Sequence, residues 1–285
     1  MFGFINVYKP KGMTSHDVVA KLRRVTGVKQ IGHTGTLDPF AEGVLPICIG
    51  KATRLIEFLK DDKEYIATVQ FGANTDTYDL EGVITYESNK KVMQTDVETA
   101  LKNFEGEIYQ VPPIYSALKV NGKKLYDYAR QGQKVDIQPR KVFIKKIELL
   151  NFDYENQSAE ILISCSKGTY IRSIAYDLGK NLGCGGHLIK LIRTVAGNFK
   201  IQNSCQLETF DTSENVSKKL INPLDIIDLP KLNINDTEHS KVLLGQHFFN
   251  TILKNNGIII LVYNNCVSAI AEKTENKIQV KKVFQ

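Results

Sequence analysis

Between His33 and Leu59 the sequence HTGTLDPFAEGVLPICIGKATRLIEFL sets a carboxylate, Asp38, in a loop punctuated by glycine and proline and then runs directly into apolar residues. Gly32, Gly35, Pro39 and Gly43 surround Asp38. Such a loop is stiff without side-chain bulk and lets a ligand approach closely. The apolar run Val44 to Ile49 predicts a buried strand, and a helix is expected from about Thr53. The loop must therefore lie between two packed elements. An aspartate before proline is by itself most often a turn or helix-cap residue, and spacing alone does not overturn that reading.

The flanking segments predict an α+β chain. GFINVYKP reads as a short strand stopped by Pro10, followed by a helix capped by Ser15, with Val18, Val19, Leu22 and Val25 on one face and Gly27 at its end. KEYIATVQFG alternates with period two, placing Tyr65, Ala67, Val69 and Phe71 on one side. TDVETALKNFEG carries a capping-box pattern, Thr95 with Glu98, ahead of Val97, Ala100, Leu101 and Phe104. From Pro112 to Arg140 the chain turns basic and tyrosine-rich, with Asn121-Gly122 as a hairpin turn, and reads as an arm projecting from the core. Alternating strands follow at Lys141 to Tyr154 and Ala159 to Ser166, then a helix whose Ile171, Ile174, Ala175 and Leu178 pack on a sheet. After INPLDIIDLP, the runs GIIILVY, VSAIAEK and KIQVKKVF predict a small β domain from about residue 230.

Composition narrows the class. With 42% hydrophobic and 24% charged residues in 285, the chain is globular and not disordered, and long enough for one large and one small domain. A net charge of +6 is compatible with a polyanionic partner but too small to establish one. Cys48, Cys165, Cys184, Cys205 and Cys266 are scattered and lack any C-x-x-C pair, so neither a disulfide framework nor a zinc site is indicated. The longest apolar run, Gly257 to Tyr263, is far short of a membrane span, and the N-terminus has no signal-peptide stretch. The chain reads as cytoplasmic.

GHTGTLDPFAEGVLPICIGKATR resembles, almost residue for residue, the signature of the TruB family of pseudouridine synthases. INVYKPKGMTSHDVV precedes it, and KEYIATVQFG, TDTYDLEG, PPIYSALKVNGKKLYDYAR, KGTYIRSIAYDLG and GGHLIKLIRTVAGNF follow in family order. The match covers roughly the first four-fifths of the chain, too long and ordered for a generic motif. The remainder resembles a PUA-like RNA-binding domain only weakly. The resemblance implies a pseudouridine synthase catalytic domain over 1–229, built on a mixed, mainly antiparallel sheet flanked by helices, with a thumb-like insertion at about 112–140. A β-rich PUA-like domain over 230–285 is expected to follow.

The implied reaction isomerises uridine at position 55 in the T-loop of transfer RNA: the base is flipped out, its bond from N1 to ribose breaks, and it rejoins through C5. It calls for neither metal nor redox cofactor. Asp38 matches the catalytic aspartate, a nucleophile or base toward the nucleoside, with attack at C1′, addition at C6 and a glycal path all open. Arg172 matches the arginine paired with it, which favours its charged form. Tyr65 matches the active-site tyrosine, able to stack on uracil and a candidate to relay a proton from C5. Leu191 matches an apolar pocket residue, Tyr170 lines the same pocket, and His33 matches a histidine contacting the opened T-loop. Asp79 matches an acidic position near the site, although TDTYD is also a good turn.

Lys119, Lys123 and Arg130, with Lys124, Lys134 and Arg140 and with Tyr115, Tyr126 and Tyr128, fall in the insertion that closes over the T-loop, suited to phosphate contact and stacking. The implied partner is transfer RNA, through its T-stem-loop, with no membrane and no obligate protein partner, the enzyme being a monomer. Two rivals stand beside this reading. One is a guide-RNA-dependent relative working with partner proteins, which the arm and the short C-terminal domain disfavour. The other is an RNA-binding or RNA-folding protein on the same scaffold, which the retained Asp38, Tyr65 and Arg172 disfavour.

Overall fold

A computed structural model gives the fold and describes residues 1–116, 118–120, 122–133, 135–251 and 253–284. Asn121 of the expected Asn121-Gly122 turn and Lys134 of the arm lie outside them. Helices and strands alternate irregularly, so the α+β expectation holds. Eight strands of a ten-stranded sheet follow the order Cys205–Gln206, Gly3–Lys9, Glu42–Ile49, Gly186–Ala196, Lys63–Phe71, Ser158–Cys165, Arg140–Asp153 and Gly106–Gln110. Ile31–His33 pairs with Glu42–Ile49, and Phe199–Lys200 with Gly186–Ala196.

The sheet is mainly antiparallel. Its parallel joins are Gly3–Lys9 with Cys205–Gln206, and Glu42–Ile49 with Gly186–Ala196. The second join spans Ile192↔Glu42 and Arg193↔Gly43. There Gly43 takes φ 105°, and a Cβ would meet the Arg193 carbonyl oxygen at 2.4 Å, so the close approach requires glycine. The loop carrying Asp38 ends at this junction.

Both faces of the strand Glu42–Ile49 are covered, which is why Val44 to Ile49 is apolar without interruption. Leu45, Ile47 and Ile49 share a core with Val18, Val19 and Leu22 of the helix Ser15–Thr26, Val97 and Leu101 of Gln94–Leu101, and Ile174 and Leu178 of Ile171–Leu182. Tyr65, Ala67, Val69 and Phe71 belong to this core, as their alternation predicts. Val44 and Cys48 point the other way, joining Phe4, Leu55, Ile260, Val262, Ile270 and Phe284 in a second core. That second core docks a five-stranded sheet in the order Lys231–Asn233, Gly257–Tyr263, Cys266–Thr274, Lys277–Val283 and Phe248–Phe249. Each fully buried aliphatic side chain stabilises the assembly by about 1.5–3 kcal/mol. Among the described residues no helix is long and apolar enough to cross a membrane.

Local departures from the sequence expectations have physical causes. Thr14, not Ser15, caps the first helix: its hydroxyl accepts from the Asp17 N–H while Asp17 accepts from the Thr14 N–H. Ser15 is turned inward. The helix read from Thr95 begins at Gln94, with Asp96 accepting from the Met93 N–H at 2.9 Å in place of the Thr95–Glu98 box. The segment expected as a helix from about Thr53 is a 3₁₀ helix over Gly50–Phe58, starting where Gly50 takes φ 63°.

Candidate active site

Three buried side chains from three elements hold the loop that carries Asp38. Ser15 Oγ accepts from the Leu37 N–H at 2.8 Å and donates to the Leu37 carbonyl at 3.2 Å. Lys9 Nζ donates to the carbonyls of Met13 at 2.6 Å, Pro10 at 2.9 Å and Pro39 at 3.3 Å. Arg193 donates from Nε to Val44 O at 2.7 Å and from its terminal nitrogens to Gly35 O at 3.1 Å and Thr36 O at 3.3 Å. A loop too polar to pack by itself thus has its carbonyls satisfied by buried donors. Burial lowers the Lys9 pKa to about 8, although Asp38 nearby opposes the shift.

Asp38 opens onto a cleft of about 640 Å³. Arg172, in the first turn of Ile171–Leu182, donates to Asp38 Oδ1 at 3.3 Å, and its Nε lies 3.0 Å from Oδ2 in ion-pair contact without hydrogen-bond geometry. The Arg172 side chain is 7% accessible and that of Asp38 34%, so the guanidinium is walled in while the carboxylate faces the cleft. A cation at a helix N-terminus is disfavoured by the helix dipole, and two carboxylates compensate it. The second is Asp79, whose Oδ2 accepts from Arg172 at 3.2 Å and whose Oδ1 accepts from the Thr77 hydroxyl at 2.6 Å and the Glu81 N–H at 3.0 Å. Asp79 thus sits in the turn that TDTYD suggests, and its pairing with Arg172 is added by the structure. Within that turn Tyr78 is left-handed at φ 65°, its ring stacked on Tyr176 at 4.1 Å. Burial raises the Asp38 pKa, Arg172 pulls it back, Asp79 raises it and Lys9 lowers it; the result lies above the usual aspartate value.

The structure brings Asp38, Tyr65, Tyr170, Arg172 and Leu191 together in the cleft lining. Tyr65 is buried, and burial raises its hydroxyl pKa against the opposing effect of Arg193, its cross-strand partner. Gln110 ties the arm's base to the helix start, its side chain accepting from the Tyr170 N–H at 2.7 Å and donating to the Tyr170 carbonyl at 2.8 Å. Arg172 also donates to Tyr115 O at 2.9 Å, and Tyr115, Ser116, Leu118 and Tyr126 of the arm form one wall. His33 and Asp79 are not part of the lining. His33 is half-buried, its Nδ1 enclosed without a hydrogen-bond partner among the described residues, and burial lowers its pKa. Lys119, Lys123 and Arg130 also lie outside the lining: Lys119 is exposed, Lys123 Nζ sits 4.4 Å from the Tyr128 ring centre, and the Arg130 guanidinium sits 5.4 Å from that of Tyr126. Among the described residues no cluster of three or more His, Cys, Asp or Glu could hold a metal ion.

Residues 23–171 match the model of the TruB family pseudouridylate synthase N-terminal domain. The chain belongs to the TruB family. Residues 172–227 match the tRNA pseudouridylate synthase B C-terminal domain. Similar curated proteins include two named tRNA pseudouridine synthase B. That of Syntrophomonas wolfei is 45% identical over 88% of this chain and 86% of its own, and that of Caldanaerobacter subterraneus 41% identical over 99% of each. Among solved structures, an H/ACA RNP bound to a substrate RNA containing 2′-deoxyuridine matches with TM-score 0.72 at 25% identity, over all of this chain and 85% of the other. An archaeal box H/ACA sRNP Nop10-Cbf5 complex matches with TM-score 0.71 at 25% identity, over all of this chain and 86% of the other.

Within this TruB-family site, sequence reasoning passed over Ser15, Lys9, Arg193 and Lys63. Lys63 lines the cleft, and the others anchor its loop. Arg193 carried a signal, a charge in the largely apolar strand HLIKLIRTVA two residues from Leu191 and so on its face. Lys9, one residue before Pro10 at a strand end, carried none.

Proposed function

We propose that this chain isomerises uridine to pseudouridine at position 55 in the T-loop of transfer RNA, with the flipped base seated against Asp38. The ion pair of Asp38 with Arg172 in the lining of a cleft roomy enough for a flipped nucleotide carries this reading. Asp38 acts as the ionised nucleophile or base, and Arg172 keeps it charged when RNA excludes water. Tyr65, a neutral phenol through burial, takes the face of the uracil, with Leu191 and Tyr170 confining it. Asp79 orients Arg172. The N1–C1′ bond breaks, the base turns, C5 bonds to C1′, and the C5 proton leaves as N1 gains one, so the composition is unchanged and no co-reactant is consumed.

His33 contacts the opened T-loop, and Lys119, Lys123 and Arg130 meet RNA phosphates from the arm. The enzyme works in the cytoplasm as a monomer without an obligate protein partner. The arm supports this, since four of its residues complete the cleft within one chain. Residues 1–229 serve catalysis and 230–285 RNA binding, a division supported by the start of the second sheet at Lys231. Tritium release from a T-stem-loop carrying C5-labelled uridine tests the activity. Tight binding without release would leave an RNA-binding protein in its place.

A further inference from the structure

A second cavity of about 220 Å³ adjoins the Asp38 cleft, and Thr34, Lys63 and Lys167 line both. Lys60 also lines it, but is paired with Asp228 at 3.0 Å, as Lys167 is with Asp61 at 2.7 Å. Lys63 differs. It is half-buried, donates to the Asp61 carbonyl at 3.0 Å, and has no carboxylate within ion-pair distance among the described residues. An ammonium has three donors, so part of its capacity faces the cavities unused. Burial and the neighbouring Arg193 charge lower its pKa against the opposing charge of Asp61. The carboxylates in the second cavity's lining are already held by other lysines, Asp61 by Lys167 and Glu57 by Lys282.

The placement is fixed by the fold. Lys63 opens the strand Lys63–Phe71, opposite Cys165 and Ala196, and shares the face of Tyr65 two residues on. Its stem runs along the Asp38 loop, since a Cβ on Gly35 would stand 3.3 Å from Lys63 Cε. We propose that Lys63 binds a phosphodiester adjoining the flipped nucleotide, and that the second cavity receives the neighbouring nucleotide. The inference rests on the chain acting on RNA as read above. The chemistry fits: a flipped nucleotide drags its flanking phosphates to the pocket rim, where a partly desolvated ammonium with no carboxylate in ion-pair contact among the described residues gains from one.

The test uses T-stem-loops with one methylphosphonate 5′ or 3′ of the target uridine, bound to wild type, Lys63→Gln and Lys63→Arg. Wild type should lose about tenfold in affinity for one of the two neutralised RNAs, the scale of a hydrogen bond to a charged group. Lys63→Gln should bind the unmodified RNA about tenfold more weakly, lose the sensitivity, and lower the salt slope by about 0.7. Lys63→Arg should retain the sensitivity. Wild type indifferent to both substitutions overturns the proposal without any variant, as does equal sensitivity in wild type and Lys63→Gln. Tritium release by the same wild-type sample keeps this outcome separate from failure of the isomerase reading.

Discussion

Ser15 grips both peptide groups of Leu37, accepting from its N–H at 2.8 Å and donating to its carbonyl at 3.2 Å, and so fixes the backbone one residue before Asp38. Ser15→Ala leaves both groups unsatisfied in a buried setting, at about 1–3 kcal/mol. With substrate contacts untouched, kcat should fall about tenfold and KM should stay within a factor of two, the pattern of a displaced reacting group. Steady-state kinetics on a T-stem-loop checks it. An unchanged kcat would mean that Lys9 and Arg193 hold the loop without Ser15.

The charges around Asp38 give opposite signs for two substitutions. Its pKa lies above the ordinary aspartate value, and under the proposed mechanism the ionised form reacts, so activity should be complete above the folded pKa and be lost as pH falls through it. Arg172 lowers that pKa and Asp79 raises it. Arg172→Lys, which cannot span both carboxylates, should move the acidic limb of kcat/KM to higher pH, and Asp79→Asn should move it lower. Shifts in one common direction would contradict an electrostatic origin.

Asp38→Asn separates function from stability. Turnover should drop about a thousandfold or more with T-stem-loop affinity retained, because the amide keeps the shape and loses the charge. Stability runs the other way. A carboxyl whose folded pKa is raised binds its proton more tightly in the native state, so ionising it weakens the fold as pH rises from the unfolded through the folded pKa. The variant should therefore unfold at higher urea than wild type at pH 7, the gap closing at low pH. An inactive variant that is also less stable at pH 7 would place the net penalty elsewhere.

Elements with strong periodicity were legible, and so were the residues whose chemistry is visible in a short motif. Tyr65, Ala67, Val69 and Phe71 announce their shared face, and the long segment GHTGTLDPFAEGVLPICIGKATR, not the Asp-Pro pair alone, singles out the Asp38 that lines the cleft. The helix Asp236–Leu243 was missed because DTEHSKVL buries only Val242, leaving no apolar stripe to read. Ser15 was mistaken for a cap because Thr14 and Ser15 are equally good caps in isolation, and only the position of Leu37 decides between them. Tertiary anchors of this kind join residues far apart in sequence: Arg193 reaches Gly35 across 158 positions.

That reach gives Arg193 a testable role. It is fully buried, and its side-chain hydrogen bonds run to the carbonyls of Gly35, Thr36 and Val44. Arg193→Lys retains the charge but not the planar fork, so it should lower stability by about 1–3 kcal/mol and slow kcat more than it raises KM. Urea unfolding with steady-state kinetics checks both. Loss of stability with full kcat would reduce Arg193 to packing.

Deleting 230–285 is a poor probe of RNA binding, because Ile260, Val262, Ile270 and Phe284 share a core with Phe4, Val44 and Cys48 of the first sheet and Leu55 of the 3₁₀ helix Gly50–Phe58. Removing them exposes a sheet face that the sequence made apolar, so the truncated chain should aggregate or unfold at markedly lower urea than the whole protein. Charge reversal of the exposed Lys277 and Lys281 leaves that core intact. If the second sheet reaches RNA beyond the T-arm, the double variant should bind full transfer RNA more weakly, with a shallower salt dependence, yet bind an isolated T-stem-loop as wild type does. Equal weakening for both RNAs would place these lysines against the T-arm itself. No weakening for either would make the second sheet chiefly a cover for the first.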